Sequence, residues 1–494
     1  TNLRAEFGSD TLTARTLRFT ALLVTWLQAV NVSLPNSALR FVQGSLSMTD
    51  DEAGWIFTSY LAASAITLPV AQWLAARFGV KTVYQAAMAI FALGLLLATG
   101  ATTSLQFVGA RVIQGAASGV LAPLSMAIAL ETLAPARRPK FGPLWTAIGL
   151  LGIVSGPAIG GWISEHFGWR WMFYASLPLL AYTALVVALL QPEKKANSAP
   201  AFDFAGFASF TLGVIGLQML LDRGQRLEWF DSPEIWLEAA ASVLGFYLFA
   251  VHRFTASTHF ISKGLLRDRN FVLSTTIFFA VGFVLLPTMA MTSPMLDELL
   301  GFPPDTTGFL TLPRGVGLLG AFWLMNRMPA HRDGRPFVAA GIAVVIYANY
   351  SMLGYSPLMD GWPVAVAGAI QGAGLGLLMP ALSRVAFSTL DPTLRPEGSG
   401  LFNLSRVYGS TLGVAVVQWF FFNNTQAMHV ALASHLTVHS VPASTSLAGF
   451  GALNEAITGQ AAFIAVLGQF KILLWAMLVV SPLVLLLRKP VTTH

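Results

Sequence analysis

The chain contains no cysteine, and this absence excludes several kinds of chemistry at once. Disulfides, thiolate metal sites and thiol nucleophiles all require cysteine. Charged residues are also scarce, at 11% of the 494 residues, whereas apolar residues make up 55%. A soluble chain of this length with so few charges would aggregate, so we expect a lipid bilayer to be its solvent.

The net charge of +6 does not indicate nucleic-acid binding, because the basic residues occur in short clusters between apolar runs. The sequence has no phosphate-binding glycine loop and no nucleophile–base constellation. His429, His435 and His439 are spaced too loosely for a metal site, and no acid lies among them. We therefore expect neither an enzyme nor an ATP-driven protein, with no cofactor and no metal.

Fourteen apolar segments approach or exceed the roughly 20 residues that a helix needs to cross a bilayer. They cover about 17–40, 54–75, 83–101, 105–130, 142–164, 171–190, 205–221, 236–251, 271–294, 308–326, 337–355, 363–387, 399–421 and 467–487. The sequence thus predicts an all-α integral membrane protein.

One motif occurs twice and divides the chain into related halves. Residues 132–139 read TLAPARRP and residues 389–396 read TLDPTLRP, so TLxPxxRP recurs 257 residues later. The same separation relates Gln114 to Gln371. The two copies lie eight predicted helices apart, as two six-helix bundles with two inserted helices require. We predict an N-terminal bundle over 1–191, a linker with two helices over 192–270, and a C-terminal bundle over 271–494 with a long loop at about 422–465.

Lysine and arginine are unevenly distributed between alternate loops, and this bias sets orientation. One set of loops and helix ends is basic, at Arg77, Lys81, Arg137, Arg138, Lys140, Lys194, Lys195, Lys263, Arg267, Arg269, Arg332, Arg335, Arg395, Arg488 and Lys489. The other set is acidic, at Asp50, Asp51, Glu52, Glu228, Asp231, Glu234, Asp297, Glu298 and Asp305. We therefore predict that both termini lie in the cytoplasm.

Two predicted helices carry specific strings. The fifth reads GIVSGPAIGG, in which Gly152, Gly156, Gly160 and Gly161 permit close helix packing and Pro157 bends the helix. This string resembles the antiporter motif of the major facilitator superfamily, whose helix lines the pathway and flexes. The fourth helix holds Arg111, Gln114 and Gly115, which resemble the superfamily's RxxQG motif for coupling and gating. Two alternatives are a purely structural helix contact for the glycines and an Arg111 that extends to the membrane surface.

The loop after the second helix resembles the superfamily's GxLaDRxGRr gate loop through Arg77, Gly79 and Lys81. It departs from that pattern at Ala76, which stands where the family has an acid, so the usual interhelix charge contact cannot form. Over nearly the whole chain, the sequence is similar to the 14-helix drug:proton antiporter branch, and residues 221–232 (LDRGQRLEWFDS) are similar to EmrB-type efflux pumps. That resemblance implies an inner-membrane exporter of small molecules that docks on a periplasmic EmrA-type adaptor and an outer-membrane channel. For Asp222 and Arg223, a local ion pair is the alternative to an adaptor contact.

The proton-binding aspartate that the branch places in the first helix is missing, since Trp26 occupies its position. A proton carrier needs a group that titrates within the working pH range. The acids nearest to membrane depth are Glu131, Asp222 and Glu397, and each is a hypothesis for coupling.

Arginines within the predicted spans suggest the cargo. Arg111, Arg314 and Arg406 lie in spanning segments without an acid beside them in sequence. We therefore expect a pathway that favours anionic or neutral amphipaths, such as drugs, fatty acids and weak acids. Polar and aromatic side chains are expected to complete this pathway, at Trp26, Gln28, Asn31, Gln371 and Asn403. A dedicated metabolite or siderophore exporter and an uncoupled sensor or scaffold remain alternatives.

Overall fold

The structure is a computed structural model that describes residues 11–134, 138–192, 202–224, 227–255, 263–328, 333–391, 394–436 and 447–489. The regular secondary structure in these ranges is entirely helical, which confirms the predicted all-α class. The α-helices are α1 Leu12–Ser33, α2 Leu39–Leu46, α3 Asp50–Thr67, α4 Val70–Phe78, α5 Val80–Gly100, α6 Ser104–Glu131, α7 Arg138–Phe167, α8 Trp171–Tyr174, α9 Ser176–Leu190, α10 Phe204–Arg223, α11 Pro233–Thr255, α12 Lys263–Arg267, α13 Arg269–Pro294, α14 Pro304–Arg327, α15 Arg335–Met352, α16 Trp362–Ser388, α17 Arg395–Ser434 and α18 Leu447–Val480.

Eleven spans within the described ranges are long and apolar enough to cross a membrane, and the bent pair α3–α4 makes a twelfth. The two remaining long helices are α15, which packs between α16 and α18, and α17, which packs against α13 and α18. The count of fourteen crossings stays a prediction. Connections alternate between two faces, called here the basic face, with Arg77 and Arg335, and the acidic face, with Glu52 and Glu234.

Local chemistry explains where several helices begin and bend. Thr49 and Glu52 form a reciprocal capping box at the start of α3. Pro69 lacks an amide hydrogen, and α3 and α4 meet there at an angle of 52°. The chain then turns into α5 through Gly79, whose φ of 90° favours glycine.

The buried apolar side chains form two large clusters. One is built mainly from α1–α9 and the other mainly from α12–α18. The clusters interlock at their boundary, since Leu286, Met289 and Val414 belong to the first and Leu150 to the second. The predicted domain limits at 191 and 270 stay a prediction. The inserted pair, α10 and α11, packs on α3 and α17 through α10.

The segment 422–465 differs from the predicted loop, because helix continues into it from both ends. α17 extends to Ser434 and α18 begins at Leu447. Residues 422–434 contain neither glycine nor proline, so nothing in them stops a helix although they are too polar to span. The 40 residues of α17 correspond to a helix of about 60 Å, against about 30 Å of hydrocarbon. We therefore expect the α17–α18 hairpin to project beyond the membrane on the acidic face.

Candidate functional site

The glycine-rich string of α7 packs against two different helices. Three of its glycines lie one turn apart and meet the backbone of α1 or of Leu34, directly after α1: Gly152, Gly156 and Gly160. Gly161 instead lies against the Pro304 carbonyl, and Gly308 lies against the backbone of Pro157 and Ala158. α7 is therefore pressed between its own bundle and α14 of the other bundle. Any Cβ added at these contacts would meet backbone atoms, which cannot move away as a flexible side chain can.

Arg111 is fully buried and does not extend to the surface. Its Nη1 donates to the Asn31 carbonyl at 3.0 Å and to Gln114 Oε1 at 2.7 Å, and its Nε donates to the Ile56 carbonyl at 3.0 Å. Asn31 needs such a donor, because Pro35, four residues later, has no amide hydrogen to complete the helical bond. The guanidinium also lies 4.4 Å from the centre of the Tyr60 ring. Arg111 thus joins α1, α3 and α6.

Neighbouring polar residues of the first bundle are also buried. Gln114 Nε2 donates to the Gly94 carbonyl at 2.9 Å. Gly115, next to it, lies against the Tyr60 backbone. Gln28 Oε1 accepts a hydrogen bond from Ser118 at 3.2 Å, and Gln28 Nε2 has no partner among the described residues. Asn31 Nδ2 donates to the Leu27 carbonyl at 2.8 Å.

The second bundle buries Arg314, which is 2% exposed, on α14. Its Nε and Nη1 have no hydrogen-bond partner within the described residues. Gln371 is buried on the neighbouring α16, where its Nε2 donates to Asn349 Oδ1 at 3.1 Å and to Thr288 Oγ1 at 3.2 Å. Gln371 Oε1 and Asn349 Nδ2 lack partners in the described part of the chain. This bundle therefore contains several buried polar atoms whose bonding capacity is unused.

The remaining predicted pathway residues are less enclosed. Trp26 on α1 and Asn403 and Arg406 on α17 are half-buried. Asn403 Nδ2 makes a long bond of 3.4 Å to the Ser399 carbonyl. Next to Arg406, Ser405 and Tyr408 line a cavity of about 280 Å³ between α17, α13 and the inserted helices. The structure does not bring Arg406 together with Arg111 or Arg314 through any described hydrogen bond.

The three predicted coupling acids occupy different positions. Asp222 accepts a hydrogen bond from Gln218 Nε2 at 2.9 Å and lies near Thr58 of α3. Glu131 is exposed at the end of α6 and accepts a bond from Gln191 Nε2 at 3.2 Å. Glu397 lies in α17, but its side chain is outside the described residues. Of the two acids whose side chains are described, only Asp222 lies between the inserted helices and a helix of the first bundle.

Arg223 forms local ion pairs, as the alternative to an adaptor contact expects, but its partner is not Asp222. Arg223 pairs with two acids of α11, Glu234 and Glu238, and its Nη1 lies 2.7 Å from Glu238 Oε1. Opposite charges fifteen residues apart meet here because α10 and α11 form a hairpin. A second contact, between the two bundles, was not predicted from the sequence. Arg40 donates to the Asp297 carbonyl at 3.1 Å and lies 3.8 Å from the Asp297 carboxylate.

The gate-loop residues Arg77, Gly79 and Lys81 lie at the basic face, where Arg77 is exposed. The corresponding loop of the second bundle contains the acid that the first lacks. Asp333 accepts hydrogen bonds from the Arg335 guanidinium, which hold the pKa of its carboxyl below the usual value. Arg335 Nη1 also donates to the Leu487 carbonyl at 3.1 Å. Charge pairing at this face is thus found in the second loop.

The histidines show no metal-binding arrangement in the part of the chain that the structure describes. His429 Nε2 lies 3.1 Å from Asn454 Oδ1 in the α17–α18 hairpin, and His439 is outside the described residues. No group of three or more metal-ligating side chains occurs within the described ranges.

Comparisons with known proteins agree with this architecture. The chain is 25% identical over 445 residues to the multidrug export protein EmrB of Escherichia coli K12, covering 88% of this chain and 86% of that protein. It is 27% identical over 453 residues to the fatty acid resistance protein FarB of Neisseria gonorrhoeae, covering 89% of each.

Solved structures of transporters share the fold. A bacterial homologue of the human lysosomal transporter Spinster, in an inward-facing and unoccupied conformation, superimposes with a TM-score of 0.63 at 14% identity and 97% coverage of both chains. A D-xylose–proton symporter gives a TM-score of 0.57 at 14% identity, with 92% of this chain and 97% of that chain covered. The sequence profile described as Major Facilitator Superfamily matches residues 21–414. This chain is therefore a multi-pass membrane protein of the Major Facilitator Superfamily.

Proposed function

We propose that this protein is an inner-membrane secondary transporter that exports amphipathic anionic or neutral small molecules by alternating access. The observation that carries the proposal is the sign of the buried charge. Among the described residues, the buried charge at the middle of a spanning helix is Arg314, the eleventh of the 24 residues of α14, whereas the buried acids Glu238 and Asp297 lie near helix ends at the acidic face. A low-dielectric interior with positive charge favours negative cargo and opposes cations.

The contacts between the bundles support an alternating-access cycle. Described polar and glycine contacts between them run from mid-membrane to the acidic face: Gly315 with Val154, Gly308 with Pro157, Gly161 with Pro304, Gly54 with Gln418, and Arg40 with Asp297. With the basic face in the cytoplasm, this arrangement is an inward-facing state that is closed towards the periplasm. Export requires these contacts to open after cargo has entered from the cytoplasmic side or the inner leaflet.

The projecting α17–α18 hairpin supports a periplasmic partner. On the face where an adaptor would dock, α17 and α18 are long enough to continue beyond the bilayer. The contact of His429 with Asn454 joins these two helices. An EmrA-type adaptor with an outer-membrane channel is the proposed assembly. The relatives EmrB and FarB, a multidrug exporter and a fatty acid resistance protein, support lipophilic drugs and fatty acids as cargo.

Proton antiport is the proposed energy source, with Asp222 as the coupling acid. Asp222→Asn should reduce export driven by a pH gradient at least tenfold, because the amide cannot release a proton, while gradient-free exchange of cargo should continue. The measurement is cargo flux in proteoliposomes with and without the gradient. Glu131→Gln is the matched control, since Glu131 is exposed, and Glu397→Gln tests the third acid. Full gradient-driven export by Asp222→Asn would remove Asp222 from the mechanism.

The function is tested by a susceptibility panel in a Gram-negative host stripped of its own pumps. The chain is expressed with and without an EmrA-type adaptor, and the panel pairs fatty acids and lipophilic weak acids with lipophilic cations. We expect at least fourfold higher resistance to the acids and none to the cations, and loss of that resistance without the adaptor. Resistance to cations alone contradicts the proposal, and no resistance at all favours a dedicated metabolite exporter or an uncoupled sensor.

A further inference from the structure

The glycine contacts align the two bundles residue by residue around their buried arginines. In the first bundle, Gly115 lies against the Tyr60 carbonyl, and Gly119, one turn later, lies against the Ser64 carbonyl. In the second, Gly372 lies against the Arg314 carbonyl and Gly376 against that of Leu318. Gly115 and Gly372 are 257 residues apart, like the repeated loops. Arg314 therefore occupies the place that Tyr60 holds in the first bundle.

The same alignment places Gly368 where the first bundle has Arg111. Among the described residues, each bundle thus has one arginine that is almost completely buried, but the two lie on different helices, and the second lies beside a glycine. A Cβ built on Gly368 would lie 3.6 Å from Arg314 Cβ and 3.9 Å from its Nε, which is ordinary contact distance. No side chain from this position reaches towards the guanidinium.

The two guanidinium groups differ sharply in their bonding. Arg111 donates to three backbone carbonyls and to Gln114 Oε1. Arg314 has a free Nε and Nη1, and Gln371 Oε1, the counterpart of that acceptor, is also unpaired among the described residues. No described carboxylate forms an ion pair with Arg314.

We infer that Arg314 is the cargo-binding cation of this transporter and recognises the carboxylate or sulfonate headgroup of an anionic amphipath, whereas Arg111 is a structural clamp. A buried charge without partners is costly unless a ligand compensates it. The inference rests on the proposed export of anionic amphipaths and assigns that recognition to one side chain.

The position of Arg314 suits a headgroup site. The following residue, Gly315, contacts Val154 of α7, so the site borders the interface between the bundles. A planar guanidinium can hold two oxygens of one headgroup through Nε and Nη2, and no hydrogen bond from an Arg314 nitrogen is found among the described residues. Gly368 leaves the space beside Nε without a side chain.

The test measures binding to the purified full-length protein in zwitterionic nanodiscs by calorimetry. The probes are octanesulfonate and octyltrimethylammonium, which share a chain and differ in charge. We expect the wild type to bind the sulfonate and Arg314→Gln to bind it at least tenfold more weakly, with Arg314→Lys in between. Gly368→Asp should also abolish sulfonate binding, because its carboxylate can pair with Arg314. The matched Gly368→Asn variant adds the same bulk without a charge, so it should lose clearly less sulfonate binding than Gly368→Asp.

The outcomes separate the inference from the proposed function. Sulfonate binding that survives Arg314→Gln, or that is absent from the wild type, overturns the inference. Equal loss in Gly368→Asp and Gly368→Asn also overturns it, because a steric effect would then replace charge pairing. Anion export that persists in Arg314→Gln cells contradicts only this assignment. Export of cations and not of anions by the wild type contradicts the proposed function itself.

Discussion

Replacing Arg111 by methionine should destabilise the folded protein by about 3 kcal/mol, whereas the same replacement of Arg314 should leave stability unchanged or raise it by about 1 kcal/mol. Both side chains are buried arginines of the spanning helices. The difference arises from their partners. Arg111→Met leaves the buried acceptors at Asn31 and Gln114 without this donor, and each such loss costs about 1–3 kcal/mol. It also removes a second donor from the Ile56 carbonyl, which keeps its helical bond within α3. Removing the buried Arg111 charge also removes its desolvation cost, and this gain in stability offsets only part of that loss.

Arg314→Met removes a charge that has no hydrogen bond from Nε or Nη1 within the described residues. The desolvation cost of the guanidinium disappears, and no described acceptor is orphaned. The measurement is thermal unfolding of both variants in one detergent at one heating rate, without cargo. Equal destabilisation by the two substitutions would contradict the distinction between a clamp and a ligand-binding cation. Adding octanesulfonate should raise the unfolding temperature of the wild type and should not raise that of Arg314→Met.

Gly161→Ala should open the seal between the bundles on the acidic face and reduce transport at least tenfold. The added Cβ would meet the Pro304 carbonyl, which is backbone of α14 and cannot rotate away. Overpacking of this kind costs about 1–3 kcal/mol, and each 1.4 kcal/mol changes the population of the closed state tenfold. The Arg40–Asp297 contact cannot compensate, because Arg40 is half exposed and surface pairs contribute about 0–1 kcal/mol.

The lack of native cysteine allows a single reporter, Thr307→Cys, at a fully buried position of α14. We expect a membrane-impermeant maleimide to label it at least ten times faster in Gly161→Ala than in the parent. Gly149→Ala is the matched control on the same helix, since its Cβ would lie 3.5 Å from Thr25 Cγ2, an ordinary contact. Slow labelling in Gly161→Ala, or fast labelling in both variants, would show that Gly161 does not maintain the seal.

Much of the fold could be predicted from the sequence because hydropathy and an internal repeat are local, countable signals. The GIVSGPAIGG string predicted close helix packing, which the structure confirms. The sequence left open whether Arg111 is buried or extends to the membrane surface, and the structure buries it. The extension of α17 to Ser434 could not be predicted from hydropathy, since residues 422–434 are polar yet contain no helix breaker. The period and length of apolar runs say where a helix is buried, and they do not say where it stops in water.

The candidate site was predicted less well, because it depends on which side chains meet across the bundles. Sequence placed Arg111 and Arg314 in one class, as arginines within spans. Only the structure shows that Arg111 donates to the Asn31 carbonyl, which Pro35 leaves without a helical donor, and that Arg314 Nε and Nη1 have no hydrogen-bond partner among the described residues. The Arg223–Glu238 and Arg40–Asp297 pairs join residues 15 and 257 positions apart, so no local pattern could have revealed them.

The most direct test of the central claim is flux in proteoliposomes under an imposed pH gradient. The cargo is anilinonaphthalene sulfonate, a permanent anion that crosses bilayers slowly, with ethidium as the cationic comparison. We predict gradient-driven movement of the sulfonate by the wild type, at least tenfold slower movement by Arg314→Gln, and no movement of ethidium above protein-free liposomes. Transport of ethidium at a rate equal to or above that of the sulfonate would contradict an anion-selective pathway.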